Sequence, residues 1–303
     1  MADVVTCINH FDLTSTQLNN VKAIGPSVTY RGSTSSLWRC ETCGHRFFYP
    51  MPEVDDVTFF YNHDYHRHNI DREYSEHHVP AISAVHELLK GYLKQDKLRI
   101  HDEGCGYGHL VWHLNKMGAV ATGTDLSTAS IAAGRARGNL AIFCDSAGNF
   151  LKDERVNALI MIHCLEHQYF PLETMRIVRN VLDDRGVGFI LVPNVNYLPI
   201  IKGGMQKDPG FLYPAHLHYF TVDSLRSLMN FVGLSILDLS CTPTLDFAPG
   251  MADEMLFQAT GFHISQLKEP DLLINALLKN DLGYELRAIV ARNDSPFLKI
   301  LQR

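Results

Sequence analysis

Asp102-Glu103-Gly104-Cys105-Gly106-Tyr107-Gly108 is the stretch that decides the fold of this chain, because it places three glycines directly after two acids. The apolar run before it predicts a strand over 98–102, and the amphipathic segment after it predicts a helix over 108–117. Glycines between a strand and a helix let backbone amides approach a ligand at the carboxyl edge of a parallel sheet. A tight turn with a capping acid is the alternative that a glycine loop alone leaves open.

Outward from this loop, short apolar runs alternate with amphipathic segments, which is the pattern of βαβ units on a parallel sheet. Thr221 resembles an N-cap for a helix that runs through Phe231 and that Gly233 closes. The pattern predicts an α/β fold with a Rossmann-like, doubly wound sheet. The predicted strands cover 98–102, 120–124, 140–144, 156–162, 187–192, 234–239 and 285–291, and further helices cover 127–137 and 171–182.

The positions of proline and glycine and the changes in composition along the chain predict three parts. Residues 1–52 form a small module rich in Cys, Gly and Ser that ends at Pro50-Met51-Pro52, and residues 53–97 form a lid and a lead-in helix. Residues 98–303 form the main domain, with an insertion at about 242–281 that makes a cap or an interface. Tyr65 is the predicted ligand contact of the lid, and a solvated polar face is the alternative for this segment.

The composition excludes several classes of function. Hydrophobic residues make up 46% of the 303 residues and charged residues 20%, which is typical of a soluble globular protein. A net charge of −6 provides no basic field for a phosphate backbone, so nucleic acid is not the expected partner. Apolar runs are far shorter than the roughly 20 residues of a membrane span. Asp3 stands where a secretory signal would be positive, so the predicted location is the cytoplasm.

The glycine loop does not fit a dinucleotide. In the fingerprint G-x-G-x-x-G the third glycine would fall on His109 or on Val111, depending on the register. Asp102 would repel phosphates and suits a ligand that carries an ammonium group. Asp125 ends the second strand about 20 residues further on, where a carboxylate can accept both hydroxyls of a ribose. The sequence therefore predicts a positively charged cofactor that contains a ribose.

Further stretches join the loop in a resemblance to a known family. His163-Cys164-Leu165-Glu166-His167 follows the fourth strand, and Val192-Pro193-Asn194 ends the fifth. His216-Leu217-His218-Tyr219-Phe220-Thr221 then leads into the next helix. Over about 98–240 the sequence resembles the class I S-adenosylmethionine-dependent methyltransferases, in particular the branch that includes the ubiquinone-biosynthesis O-methyltransferases. The resemblance implies a sheet of seven strands whose last strand is antiparallel.

Cofactor-binding roles carry over from this family to single positions. The resemblance implies that Asp102 and Gly104 bind the methionyl portion of S-adenosylmethionine and that Gly106 lies against the cofactor. It also implies that Asp125 holds the ribose and that Asp145 lies near the adenine amine. The complete set of implied cofactor contacts is Asp102, Gly104, Gly106, Asp125, Leu126, Asp145 and His163.

His163, Glu166 and His167 would share one face if the chain turns helical after the fourth strand. With His216 or His218 they could bind a divalent ion, and zinc, iron or manganese is favoured over magnesium because His163 stands where some relatives carry glutamate. In a second interpretation, His163 or His167 is a general base that Glu166 orients. In a third, the cluster only braces two loops. The predicted catalytic residues are His163, Glu166 and His167, and the predicted ligands of this second metal site are Glu166, His167 and His216.

Cys40-Glu41-Thr42-Cys43-Gly44 is a knuckle in which two thiolates can meet one ion. Cys7-Ile8-Asn9-His10 offers a second pair of ligands at the same internal spacing. Cys7, His10, Cys40 and Cys43 thus predict a tetrahedral site for structural zinc in a zinc-ribbon-like module. A degenerate ribbon with buried thiols is the alternative.

The expected function is transfer of a methyl group from S-adenosylmethionine to an oxygen, nitrogen or carbon nucleophile of a small molecule. An RNA methyltransferase is one alternative, which the negative charge disfavours. A cofactor-binding protein that has lost catalysis is the other, because a fold alone does not establish an activity. A second copy of the chain, in a homodimer, is the protein partner that we expect, and no membrane partner is expected.

Overall fold

The chain is described by a computed structural model over residues 20–64, 78–197, 213–242, 268, 270–296 and 298. Tyr65, Cys7, His10 and most of the predicted insertion lie outside these residues. Among the helices described, none combines the length and the apolar character needed to cross a bilayer.

The N-terminal part begins with an antiparallel sheet. Its strands are β1 (Val21–Tyr30), β2 (Ser33–Cys40) and β3 (Arg46–Tyr49). Helix α1 (Val54–Phe59) and a single π-helical turn (Phe60–Asp64) follow, and α2 (Val79–Leu93) leads into the main domain.

The main domain alternates strands and helices in the order that the sequence predicts. Five parallel strands come first, and the elements in chain order are β4 (Arg99–Glu103), α3 (His109–Lys116), β5 (Val120–Asp125), α4 (Thr128–Ala136), β6 (Ile142–Cys144), α5 (Ala147–Phe150), β7 (Val156–Ile162), α6 (Pro171–Val181) and β8 (Leu182–Pro193). The remaining elements are β9 (His218–Tyr219), α7 (Val222–Phe231), β10 (Leu234–Thr242), α8 (Pro270–Lys279) and β11 (Glu285–Arg292).

The main sheet has seven strands in the order β10-β11-β8-β7-β4-β5-β6. Its last strand in the chain, β11, runs antiparallel to both of its neighbours, β10 and β8. The predicted Rossmann-like fold with seven strands and an antiparallel last strand is confirmed. Because the order reverses at β4, the carboxyl ends of β4, β5 and β7 border the crevice where open α/β folds bind ligands.

Two apolar layers cover the two faces of this sheet. Helices α2, α3 and α4 pack on one face through Ile82, Leu114 and Ile131, which are 0%, 0% and 4% exposed. Helices α6 and α7 pack on the other face through Met175 and Leu228. Strand β7 and the part of β8 that begins at Gly186 are buried on both faces, which explains their nearly continuous apolar sequence.

Strand β8 begins at Leu182, five residues before the predicted start at 187. A register shift lies between Val156 and Ala158, where the β7–β8 pairing extends back to Leu182. The hydrophobic pattern does not predict this extension, because the residues Asp183-Asp184-Arg185 are charged.

The N-terminal sheet contains a strand from the main domain. Strand β9 pairs antiparallel with β3 through Arg46 with Tyr219 and Phe47 with His218, which completes the order β1-β2-β3-β9. Residues on both sides of the predicted boundary at residue 52 therefore share one sheet.

Candidate active site

The glycine loop turns at the end of β4 in a backbone conformation that favours glycine. Gly104 and Gly106 have φ of 76° and 55°, and Gly108, the N-cap of α3, has φ of 81°. A β-carbon at Gly106 would meet nothing within 4 Å. The loop therefore leaves open space beside Gly106, where a ligand can approach the backbone.

Asp125, at the end of β5, is fixed beside this loop. Its Oδ2 accepts a hydrogen bond from the N–H of Gly106 at 2.9 Å, and its Oδ1 accepts one from the N–H of Ser127 at 2.7 Å. The next residue, Leu126, is 77% exposed and presents an apolar side chain at the same edge. A carboxylate beside an exposed leucine fits the ribose and the base of a nucleoside.

The carboxylates around the loop repel one another. Burial, together with the charges of Asp125 and Glu103, raises the pKa of Asp102 well above its usual range. Burial also raises the pKa of Glu103 to about 7, although hydrogen bonds from Thr124 and Ala147 oppose this shift. A cationic ligand would relieve this repulsion, so the donor set fits a sulfonium and an ammonium group.

Asp145 follows β6, the neighbour of β5 in the sheet, and its Oδ1 accepts a hydrogen bond from the N–H of Ser146 at 2.8 Å. Asp125 is in register with Cys144, the residue before Asp145. The structure thus brings Asp125 and Asp145 to adjacent strand ends, which is where the resemblance puts the ribose and adenine contacts.

The His/Glu segment after β7 is not a regular helix. Leu165–His167 forms one 3₁₀ turn, and His163 lies before it with a positive φ of 49°. This segment touches the glycine loop, because a β-carbon at Gly104 would lie 2.5 Å from Sγ of Cys164. The condition that the chain turns helical here is met only by this 3₁₀ turn, which leaves His163 outside it, yet the three side chains still meet beside the loop.

His163 lies between two buried carboxylates. Its Nε2 is 2.7 Å from Oε1 of Glu285, and its Nδ1 is 3.4 Å from Oε1 of Glu166. Burial alone would lower the pKa of His163, but hydrogen bonds and charges from the two glutamates outweigh it and raise the pKa to about 10. Burial opposes ionisation of Glu166, but His167, His163 and His216 outweigh it and lower its pKa to about 2.

Glu285, the first residue of β11, was not among the predicted site residues. Its carboxylate is fully buried, and its Oε2 also accepts a hydrogen bond from the hydroxyl of Thr242 at 3.0 Å. The only signal is an acid at the start of the predicted last strand, 285–291. That strand reaches the site because it pairs antiparallel to β8, opposite Pro193.

His167 and His216 complete the cluster. Nδ1 of His167 lies 2.9 Å from the carbonyl oxygen of Ala215 and 2.8 Å from the hydroxyl of Tyr61. Because a carbonyl only accepts, Nδ1 carries the proton and Nε2 presents its lone pair, 3.8 Å from Oε1 of Glu166. Ligand atoms of Glu166, His167 and His216 all lie within 4.8 Å of one another.

His218 does not join this cluster. Its Nδ1 lies 3.1 Å from Nε2 of His45, in the turn directly before β3, and both rings are fully buried. Of the two histidines that the sequence left open, the structure brings His216 to Glu166 and directs His218 to His45.

The Cys40–Cys43 knuckle forms a tight turn. The N–H of Gly44 donates to the carbonyl of Cys40 at 3.0 Å, and the N–H of Cys40 donates to the carbonyl of His45 at 2.8 Å. Cys40 and Cys43 are 1% and 6% exposed. Their predicted partners in a zinc site, Cys7 and His10, lie outside the described residues.

Known proteins that resemble this chain have the same fold. The methyltransferase domain family matches residues 66–239, which is more than half of the chain. No curated protein matches the chain significantly. The plantazolicin methyltransferase BpumL in complex with SAH is 15% identical with a TM-score of 0.53, over 78% of this chain and 94% of that chain. The magnesium protoporphyrin IX methyltransferase (ChlM) from Synechocystis PCC 6803 with bound SAH is 16% identical with a TM-score of 0.50, over 78% and 97%.

The glycine loop, the strand-end acids and the strand order thus define a Rossmann-like methyltransferase, and the chain belongs to the methyltransferase domain family. The protein is an S-adenosylmethionine-dependent methyltransferase.

Proposed function

We propose that the protein transfers the methyl group of S-adenosylmethionine to an oxygen, nitrogen or carbon nucleophile of a small molecule. The proposal is carried by the close approach of Gly104 to Cys164, where a β-carbon would lie 2.5 Å from the sulfur. This approach puts the glycine loop against the segment that bears Glu166 and His167. One crevice edge then offers both a cofactor site and polar groups that can act on a nucleophile.

The cofactor is assigned to the glycine loop and the strand-end acids. Asp102 and Gly104 would bind its methionyl portion, Gly106 would lie against it, and Asp125 would hold the ribose. Leu126, Asp145 and His163 are assigned the remaining contacts. When bound, S-adenosylmethionine supplies an electrophilic methyl group on a sulfonium sulfur, so the protein has to align a nucleophile and remove its proton.

His167 is our candidate for the general base. Its Nδ1–H donates to Ala215, so its Nε2 lone pair is available to accept a proton from a nucleophile. Glu166 lies 3.8 Å from this nitrogen and would stabilise the imidazolium that forms. His163 is the weaker candidate, because a pKa of about 10 keeps its imidazole protonated at neutral pH.

A divalent ion on Glu166, His167 and His216 is the second proposal for this cluster. It is supported by the 4.8 Å limit on the distances between their ligand atoms. The same Nε2 of His167 would bind the ion, with its Nδ1–H held by a carbonyl in the way that metal-bound histidines usually are. The ion would lower the pKa of an oxygen nucleophile.

Structural zinc on Cys7, His10, Cys40 and Cys43 remains a proposal as well. The buried knuckle turn, with its hydrogen bonds at 3.0 and 2.8 Å, supports the half of this site that is described. Thiolates in such a turn are suited to tetrahedral zinc.

A small molecule is the acceptor class that we favour. The net charge of −6 disfavours RNA. Magnesium protoporphyrin IX, named for one similar structure, is an acceptor of this class. The ubiquinone-biosynthesis-like branch stays a proposal that rests on the motifs quoted above.

Calorimetry with S-adenosylmethionine and S-adenosylhomocysteine tests the cofactor assignment. We expect Asp125→Asn to weaken binding roughly 10-fold or more, because an amide cannot accept both backbone N–H groups that the carboxylate accepts. Asp153→Asn, an exposed control with the same change in charge, should bind like the wild type. Wild-type protein that binds neither ligand would contradict the proposal.

Methyl incorporation from labelled cofactor tests the chemistry. The probes are a panel of phenols, carboxylic acids and amines, with transfer RNA as the competing acceptor. His167→Gln should retain cofactor affinity and lose roughly 10²- to 10⁴-fold in kcat. Metal analysis and assay after chelation separate the two roles of the cluster, since full activity without bound metal would exclude the ion. Labelling of the RNA alone would favour the RNA alternative.

A further inference from the structure

A series of hydrogen-bonded polar side chains, buried or partly buried, lies on one face of β4 and β5 and leads to the glycine loop. The function proposed above gives these side chains no role. His101 on β4 is fully buried between two hydroxyls of β5. Its Nδ1 lies 2.9 Å from Oγ1 of Thr122, and its Nε2 lies 2.9 Å from Oγ1 of Thr124. Thr124 in turn donates to Oε2 of Glu103 at 2.5 Å. A polar chain of this kind costs free energy in a sheet core unless every member is satisfied.

The β4–β5 register produces this arrangement. His101 is paired with Thr122, and Glu103 is paired with Thr124, so all four side chains lie on one face of the two strands. The face is covered by α5, whose Phe150 stacks on the His101 ring at 5.5 Å between centroids.

In this series of side chains, each hydrogen bond has a defined donor and acceptor. Burial lowers the pKa of His101 to about 4, so its ring is neutral at pH 7 and carries a single N–H. Oε2 of Glu103 accepts from the Thr124 hydroxyl as well as from the N–H of Ala147, so the hydroxyl has given its only proton to Glu103 and accepts from His101. The proton of His101 is therefore on Nε2, and its Nδ1 accepts from the hydroxyl of Thr122.

The chain ends where two parts of the cofactor crevice meet. Oε2 of Glu103 also accepts the N–H of Ala147 at 2.9 Å, at the start of α5. Glu103 directly precedes Gly104 of the loop, and Ala147 follows Asp145 by two residues. The backbone N–H groups of Gly104 and Cys105 donate to the Thr124 carbonyl at 2.8 and 3.0 Å. Thr124 and Glu103 thus tie the methionyl end of the crevice to its adenine end.

We propose that His101, Thr124 and Glu103 are positioning residues for S-adenosylmethionine, which set the spacing between the glycine loop and the corner that carries Asp145. They act through the backbone of Gly104 and Ala147. The inference rests on the proposed cofactor site. These three residues are additional to the cofactor contacts that the family resemblance implies, and no family motif assigns them a role.

Calorimetry on the full chain tests this with matched variants of one strand. Thr124→Val removes the link to Glu103 and should weaken S-adenosylhomocysteine binding roughly 10-fold, while Thr124→Ser keeps the hydroxyl and should restore it. Thr122→Val, the same change two residues away, leaves the segment from His101 to Glu103 intact and should stay within about 2-fold of the wild type. In methyl transfer, Thr124→Val should raise KM for S-adenosylmethionine with little change in kcat.

Nitrogen NMR of His101 tests the chain without a ligand. The ring should be protonated on Nε2 and should not titrate between pH 5 and pH 8. Because this measurement uses the wild-type protein, it tests the inference even if Thr124→Val does not fold.

Three outcomes overturn the inference alone: equal affinity of the wild type and Thr124→Val, an equal loss in Thr122→Val, or a proton on Nδ1 of His101. A wild type that binds neither S-adenosylmethionine nor its product overturns the proposed function as well, so the two failures are distinguishable.

Discussion

At the scale of the residue, Gly106 combines a backbone conformation that favours glycine with open space beside its Cα, where a ligand can approach. Its backbone lies in the left-handed region, with φ of 55°, and its N–H is used by Asp125. The space in front of its Cα is open. Gly118, after α3, shares these two properties, with φ of 92° and nothing within 4 Å of an added β-carbon.

Gly106→Ala and Gly118→Ala form a matched pair. Each should lower the free energy of unfolding by about 1 kcal/mol, because alanine in the left-handed region is strained. Only Gly106→Ala should weaken S-adenosylhomocysteine binding, by roughly 10-fold, since its methyl group would enter the crevice. Urea unfolding and calorimetry measure the two effects. Equal affinity in both variants would contradict the contact assigned to Gly106.

At the scale of the element, the start of α7 joins the two sheets. Oγ1 of Thr221 accepts the N–H of Ser224 at 3.0 Å, and the hydroxyl of Ser224 accepts the N–H of Thr221 at 2.8 Å, which makes a capping box. The Thr221 hydroxyl also donates to the carbonyl of Cys43 at 2.6 Å. The cap of one helix thereby holds the cysteine knuckle.

Thr221→Ala should lower the free energy of unfolding by about 2 kcal/mol, from the lost cap and from the buried carbonyl of Cys43 left without this donor. Thr221→Ser keeps both hydrogen bonds and is the control, with an expected loss of less than about 1 kcal/mol. Denaturant titration of both variants gives the two values. Similar losses for Ala and Ser would show that the hydroxyl is unimportant.

At the scale of the whole molecule, the pair of His163 and Glu285 connects the ends of β7 and β11. The two residues are 2.7 Å apart at Nε2 and Oε1, although 121 residues lie between them in the chain. Glu285 has no exposed surface, and His163 is 28% exposed. Because Glu285 is fully buried and His163 is mostly buried, removing one partner should destabilise the protein by leaving the other charge largely desolvated and without its counter-charge.

Glu285→Gln should lower the free energy of unfolding by about 3 kcal/mol near pH 6. The pKa of His163 is raised from 6.5 to about 10, so its stabilisation is complete below pH 6.5 and is lost as the pH rises through 10. The difference between wild type and variant should therefore shrink between these values. Urea unfolding at pH 6 and pH 9.5 measures it, with exposed Glu41→Gln as the charge control. A difference that does not depend on pH would contradict the ion pair.

Local signals allowed much of the fold to be predicted. The φ preference of glycine and the burial of short apolar runs depend on neighbouring residues in the chain. The sequence therefore predicted the loop at 104–108, the strands near it and the N-cap at Thr221. The acids Asp102 and Asp125 were predicted for the same reason, because Asp102 is the next-to-last residue of β4 and Asp125 is the last residue of β5.

The rest of the candidate site depended on tertiary structure. Glu285 reaches His163 because β11 inserts antiparallel between β8 and β10, and His218 leaves the cluster because β9 pairs with β3. After β7 the chain forms the 3₁₀ turn at Leu165–His167, and this segment lies against the glycine loop at Cys164. By itself the sequence determined the elements and the acids at their ends, since these follow from short-range conformational preference and burial. Only the tertiary structure decided which distant side chains share the crevice, because pairing between distant strands leaves no local pattern in the chain.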